Sequence, residues 1–75
     1  MKITYDSQAD ALYIELRPLE AGTATCRDLT EGVTADYGPD GKLAGLEILD
    51  ASALLQEDAS HLVLEVVPAM LAKTA

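Results

Sequence analysis

Seventy-five residues and 7.9 kDa allow one domain, and a chain this short buries only about 60% of the surface its unfolded form exposes. No apolar run approaches the ~18–20 residues of a membrane span, and no charged-then-apolar leader opens the chain. The single cysteine, Cys26, allows neither an intrachain disulfide nor a cysteine-based zinc site, and a net charge of −8 argues against nucleic acid.

The hydrophobic content of 49% includes 12 alanines and no Phe or Trp, so the expected core is small and completed by self-association. Lys2, Ile3, Thr4 and Tyr5 have the make-up of a short strand, and the polar loop 6–10 follows, with Asp6 and Asp10 at its ends. Residues 11–16 alternate, with Leu12, Ile14 and Leu16 on one face and Ala11, Tyr13 and Glu15 on the other. This predicts a first hairpin across Asp6 to Asp10, ended by Pro18. Residues 23–29 read as an edge strand, broken by Thr30, Glu31 and Gly32. Val33, Ala35 and Tyr37 alternate next, then Gly38, Pro39, Asp40 and Gly41 supply dense turn chemistry. Residues 43–49 form the return strand of a second hairpin around 38–42, with Ala44, Leu46 and Ile48 on one face.

Asp50 stands where a helix N-cap belongs, ahead of one or two turns ending near Glu57 and Asp58. The last fifteen residues, 61–75, carry one acid and one base, so the whole −8 belongs to the first sixty. Val63, Val66 and Val67, with Pro68 behind them, favour a strand over 62–67, and 70–73 a terminal helical turn. The predicted class is α+β: one domain over 1–75, mostly an antiparallel sheet of hairpins, with a short helix after Asp50. The apolar segment 61–75 is expected at a homo-oligomer interface, with a dimer favoured and an intrachain return onto the sheet as the alternative.

Several of these motifs occur together: Tyr5-Asp6; Ala9-Asp10-Ala11-Leu12-Tyr13-Ile14; Asp36-Tyr37; Asp40-Gly41-Lys42-Leu43; Gly45-Leu46-Glu47-Ile48-Leu49; and Ala51-Ser52. Over roughly residues 1–52 the chain resembles the small prokaryotic family catalogued as domain of unknown function 2283. The resemblance implies a cytoplasmic, mostly antiparallel sheet and supplies no catalytic residues. Some relatives accompany small toxin-like proteins, which implies a partner-binding, antitoxin-like role.

Candidate chemistry is sparse. Against a twelve-residue calcium loop, Asp36, Asp40, Gly41 and Glu47 fall at the first, fifth, sixth and twelfth positions. Gly38 leaves the third position without a ligand, and strands rather than helices flank the loop, so a plain hairpin turn is expected and no metal. Asp6 and Asp10 could hold a metal or share a proton, but loop aspartates ordinarily cap backbone amides. His61 beside Ser60 supplies no triad geometry. Cys26 reads as a small buried hydrophobe. Glu47, mid-strand, needs solvent or a partner such as Arg17 or Arg27. At least two of Tyr5, Tyr13 and Tyr37 are expected to fill the core. The sequence therefore points away from an enzyme. It points to an acidic interaction module that docks a basic protein, with a purely structural domain as the alternative, and a metal site or enzyme using Asp36, Asp40 and Glu47 as the weakest reading. No cofactor, nucleic-acid or membrane partner is expected.

Overall fold

In the computed structural model, which describes residues 1–58 and 61–67, β1 (Lys2–Asp6) and β2 (Ala11–Glu15) form the predicted first hairpin. Its turn is held as the sequence suggests at one end. The Asp6 carboxylate accepts the amides of Gln8 and Ala9 through Oδ1, at 3.0 and 3.3 Å. Three further strands follow, β3 (Thr25–Thr30), β4 (Val33–Tyr37) and β5 (Leu43–Ile48), then one short helix, α1 (Ala51–Leu55). The second predicted hairpin is β4–β5. All pairs are antiparallel and the strand order is β1-β2-β5-β4-β3. The long-range step is the docking of β2 on β5, which joins the first hairpin to the later three strands.

Register partners in a sheet share a face, so the pairings sort the strand side chains into two sets. One face carries Ile3, Tyr5, Leu12 and Ile14, matched across the sheet by Ile48, Leu46, Val33 and Ala35. The other carries Asp6, Glu15, Glu47, Asp36 and Asp28. Every carboxylate borne by a strand lies on that second face. The period-two alternation of the sequence is the direct cause.

The helix covers one corner of the apolar face. Ala51 is fully buried and packs with Leu12, with Tyr5, Ile14 and Ile48 alongside. Among the described residues the buried hydrophobics are Leu12, Ala35, Ala44 and Ala51, so a single large side chain anchors the core. Ile3 stays 44% exposed on the uncovered part of the same face. The predicted face of β5 holds for Leu46 and Ile48. At Ala44 the register shifts, with Asp36 opposite Gly45 but Tyr37 opposite Leu43.

Four expectations are corrected. Asp50 does not cap α1 with its side chain; it sits in the left-handed region at φ 49°, and the helix ends at Leu55, short of Glu57. Cys26 is exposed rather than buried, because β3 is an edge strand with all six residues exposed and no layer over either side. The edge strand starts at Thr25, since the Thr23 hydroxyl instead donates to the Glu20 carbonyl in the preceding turn. Residues 61–67 are exposed and pair with no strand among the described residues, so the expected strand over 62–67 does not form. The expected helical turn at 70–73 lies outside the described residues.

Candidate functional site

Two hydrogen-bonded clusters hold several of the polar side chains that the sequence brought forward. The first joins the two ends of the fold. Asp10 adopts φ 51°, a conformation that Asp and Asn tolerate better than most residues, and this turns its carboxylate toward α1. There it accepts the Ser52 amide at 3.2 and 3.3 Å, the Ser52 hydroxyl at 2.6 Å and the Tyr5 hydroxyl at 2.7 Å. The Asp10 carbonyl also accepts the Ala51 amide at 2.9 Å. A residue forty-two positions away thus serves as the helix cap that Asp50 was expected to be. Ser52 first, and Tyr5 second, hold the Asp10 carboxyl below its ordinary value, while Asp10 raises the Tyr5 phenol.

The second cluster lies on the acid-bearing face. Tyr13 on β2 reaches across β5 and donates to Asp36 Oδ2 on β4 at 2.9 Å, and the Cys26 thiol on β3 donates to Oδ1 at 3.0 Å. Gly45 makes this possible. A side chain there would collide with the Tyr13 hydroxyl and come within 2.9 Å of its ring. The Asp36 hydrogen bond, aided by partial burial, pushes the Tyr13 phenol up to about 12 and also raises the Cys26 thiol. A raised thiol holds less thiolate at neutral pH.

Because the folded phenol titrates above its ordinary value of 10.0, its contribution to stability is complete below that value and is lost as the pH rises through about 12. Phenolate absorbance should therefore resolve one tyrosine ionising near pH 12 that is missing in Tyr13→Phe. Gly45→Ala should return that titration toward 10 by breaking the bond. A Gly45→Ala profile identical to wild type would contradict the role assigned to Gly45.

Of the candidate calcium residues, Asp36 and Glu47 share a face on neighbouring strands, two positions out of register, and Asp40 lies in the turn between those strands. Asp40, in the β4–β5 turn, accepts Arg17 Nη1 at 3.0 Å and Nη2 at 2.6 Å, and also the Lys42 amide at 3.0 Å. Arg17 foremost, then that amide, lowers the Asp40 carboxyl. The pair is about 40% exposed at both ends, so it fixes the turn more than it stabilises the fold. Asp36 is occupied with Tyr13 and Cys26, and Glu47 stands exposed opposite Tyr13 and Thr34. Among the described residues no three His, Cys, Asp or Glu converge on a point that could hold a metal ion.

Neither arginine pairs with Glu47. Arg17 has taken Asp40, and Arg27 lies on the opposite face with its guanidinium 5.6 Å from the centre of the Tyr37 ring. None of the three tyrosines is fully buried; Tyr5 and Tyr13 serve as hydrogen-bonding struts, and Tyr37 lies under Arg27. The strut role of Tyr13 was missed in the sequence, although a glycine in mid-strand is a signal for close approach by a neighbour. His61 is exposed, and Ser60 lies outside the described residues. Among the described residues, no helix is long and apolar enough to cross a membrane.

The model of the family described as "Protein of unknown function (DUF2283)" matches residues 2–52. That span takes in all five strands and ends at Ser52, the far end of the Asp10 anchor. Comparisons with curated proteins and with solved structures return no significant match.

Proposed function

The chain belongs to that family of unknown function, and from this premise we propose that it is a cytoplasmic, non-enzymatic protein-interaction module, antitoxin-like in role, that self-associates and docks a basic protein. The supporting observation is the sidedness of the sheet. The strand carboxylates Asp6, Glu15, Asp28, Asp36 and Glu47 share one face, and the other carries none. A surface of one sign steers a partner of the opposite sign and makes its association rate salt-dependent. An apolar, acid-free face is instead suited to burial against protein.

The exposed segment 61–67 adds Leu62, Val63, Leu64, Val66 and Val67 to the apolar surface. Burying one such side chain is worth about 1.5–3 kcal/mol, which favours its placement at an interface between copies. Light scattering on the full chain at tens of micromolar should report a dimer, and Leu64→Asp with Val66→Asp should weaken it. For the partner, affinity capture with the tagged chain from its own cells should retain a basic protein. Asp28→Asn with Glu47→Gln should slow its association about tenfold or more at low salt. A partner whose association rate is the same at low and high salt would count against the acidic face as the docking surface.

A further inference from the structure

Among the described residues the open edges of the sheet are β1 and β3, and each presents unpaired backbone to a second strand. Their sequences treat that exposure differently. We propose that two copies of the chain join edge to edge through β1, antiparallel about a two-fold axis at Thr4, making one continuous ten-stranded sheet. The proposal rests on the self-association inferred above and adds to it a second contact, distinct from the apolar segment 61–67.

Pairing β1 with itself about Thr4 uses all five of its residues, Lys2–Asp6. Lys2 then stands opposite Asp6 of the second copy, Ile3 opposite Tyr5, and Thr4 opposite Thr4. The two-fold axis repeats each pair. Directly opposed residues share a face, so both Lys2–Asp6 pairs fall on the acid-bearing face and both Ile3–Tyr5 pairs on the apolar one. Strand, charge and hydrophobic patterns agree in this single register. Lys2 already stands opposite Glu15 within its own chain, and the second copy places Asp6 on its free flank. Asp6 keeps its turn, because that uses Oδ1 toward Gln8 and Ala9. Ile3, 44% exposed at the edge of the apolar face, gains an aromatic neighbour.

The other edge resists the same operation. Centred on Arg27 or Asp28, β3 would set like charges directly against each other, and its register shift between Asp28 and Thr30 interrupts the ladder. Edge strands are commonly protected from pairing by such charges and bulges. β3 therefore carries the protection, and β1 carries complementarity to itself.

The experiment uses the full chain. With Cys26→Ser removing the native thiol, Thr4→Cys should give a disulfide-linked dimer on mild oxidation, while Asp28→Cys in the same background, on the β3 edge, should not. Lys2→Glu should raise the dissociation constant about tenfold or more, since both cross-copy charge pairs become repulsive. Mixing Lys2→Glu with Asp6→Lys should restore dimers, because each supplies the charge the other lacks. Asp6→Lys disturbs its own turn, so the Thr4→Cys result stands independently of it. A full chain that stays monomeric overturns both the self-association and this interface. A dimer that ignores Lys2→Glu and yields no Thr4→Cys cross-link overturns β1 pairing alone and leaves self-association through another surface.

Discussion

Leu12→Ala is expected to lower stability by about 2–4 kcal/mol and to shift the thermal midpoint by more than 10 °C. Leu12 is 4% exposed, and the other buried hydrophobics among the described residues are Ala35, Ala44 and Ala51. Removing its side chain leaves α1 packed over a void, with Tyr5, Ile14 and Ile48 as the groups left to close it. Each of those is held by the register of its strand, so collapse into the gap is limited and the cavity cost stays high. Total stability for a domain of this length is roughly 4–11 kcal/mol, so this one truncation removes a large share of it. Leu12→Met, which conserves volume, should cost less than about 1.5 kcal/mol. Paired melting curves decide the matter. A Leu12→Ala protein melting within a few degrees of wild type would mean that a second copy, rather than this core, supplies most of the stability.

The parts of the fold that were legible in the sequence are those governed by local rules. Alternation at Leu12, Ile14 and Leu16 announced β2, and Asp40-Gly41 announced the turn into β5. Both signals arise within a few residues, where backbone preference and side-chain period decide the outcome. The parts that were not legible depend on which residues meet after folding. Asp50 has the right chemistry at the right place for a cap, but α1 begins where Asp10, brought in by the first hairpin, already supplies a carboxylate to Ser52. The edge position of residues 23–29 was legible, but Cys26 was still read as buried from its residue type, whereas the edge leaves it exposed. Arg17 was a candidate partner for Glu47 until the β2–β5 register brought it beside the turn at Asp40. The spacing of Asp36, Asp40 and Glu47 is a matter of tertiary placement too: Asp36 and Glu47 lie on paired extended strands rather than in one curled loop, and Asp40 is engaged by Arg17.

The Asp10 anchor carries the second large effect and has a pH signature of its own. α1 has five residues, too few to persist without a tertiary tie, and its first turn holds no acidic residue. Asp10 provides that tie, joining Tyr5, Ala51 and Ser52 at one point. Asp10→Ala removes the acceptor and also places a β-carbon residue less tolerant of φ 51° in the turn. The midpoint should fall by about 5 °C or more, the scale expected from losing a helix cap in a domain this small. Asp10→Asn keeps the turn conformation and one accepting oxygen, so it should melt between wild type and Asp10→Ala. The sign of the pH dependence follows from the lowered carboxyl. A group held below its ordinary value of 3.8 contributes its stability in full above that value and loses it as the pH falls through the folded value. The gap between wild type and Asp10→Asn should therefore be widest near neutrality and should close on acidification below pH 3.8. Asp40, lowered by Arg17, titrates in the same direction in both proteins and so drops out of the difference. Denaturant melts of the two proteins across that range test the assignment directly, and a gap that does not narrow in acid would show that the Asp10 charge is not what holds the helix.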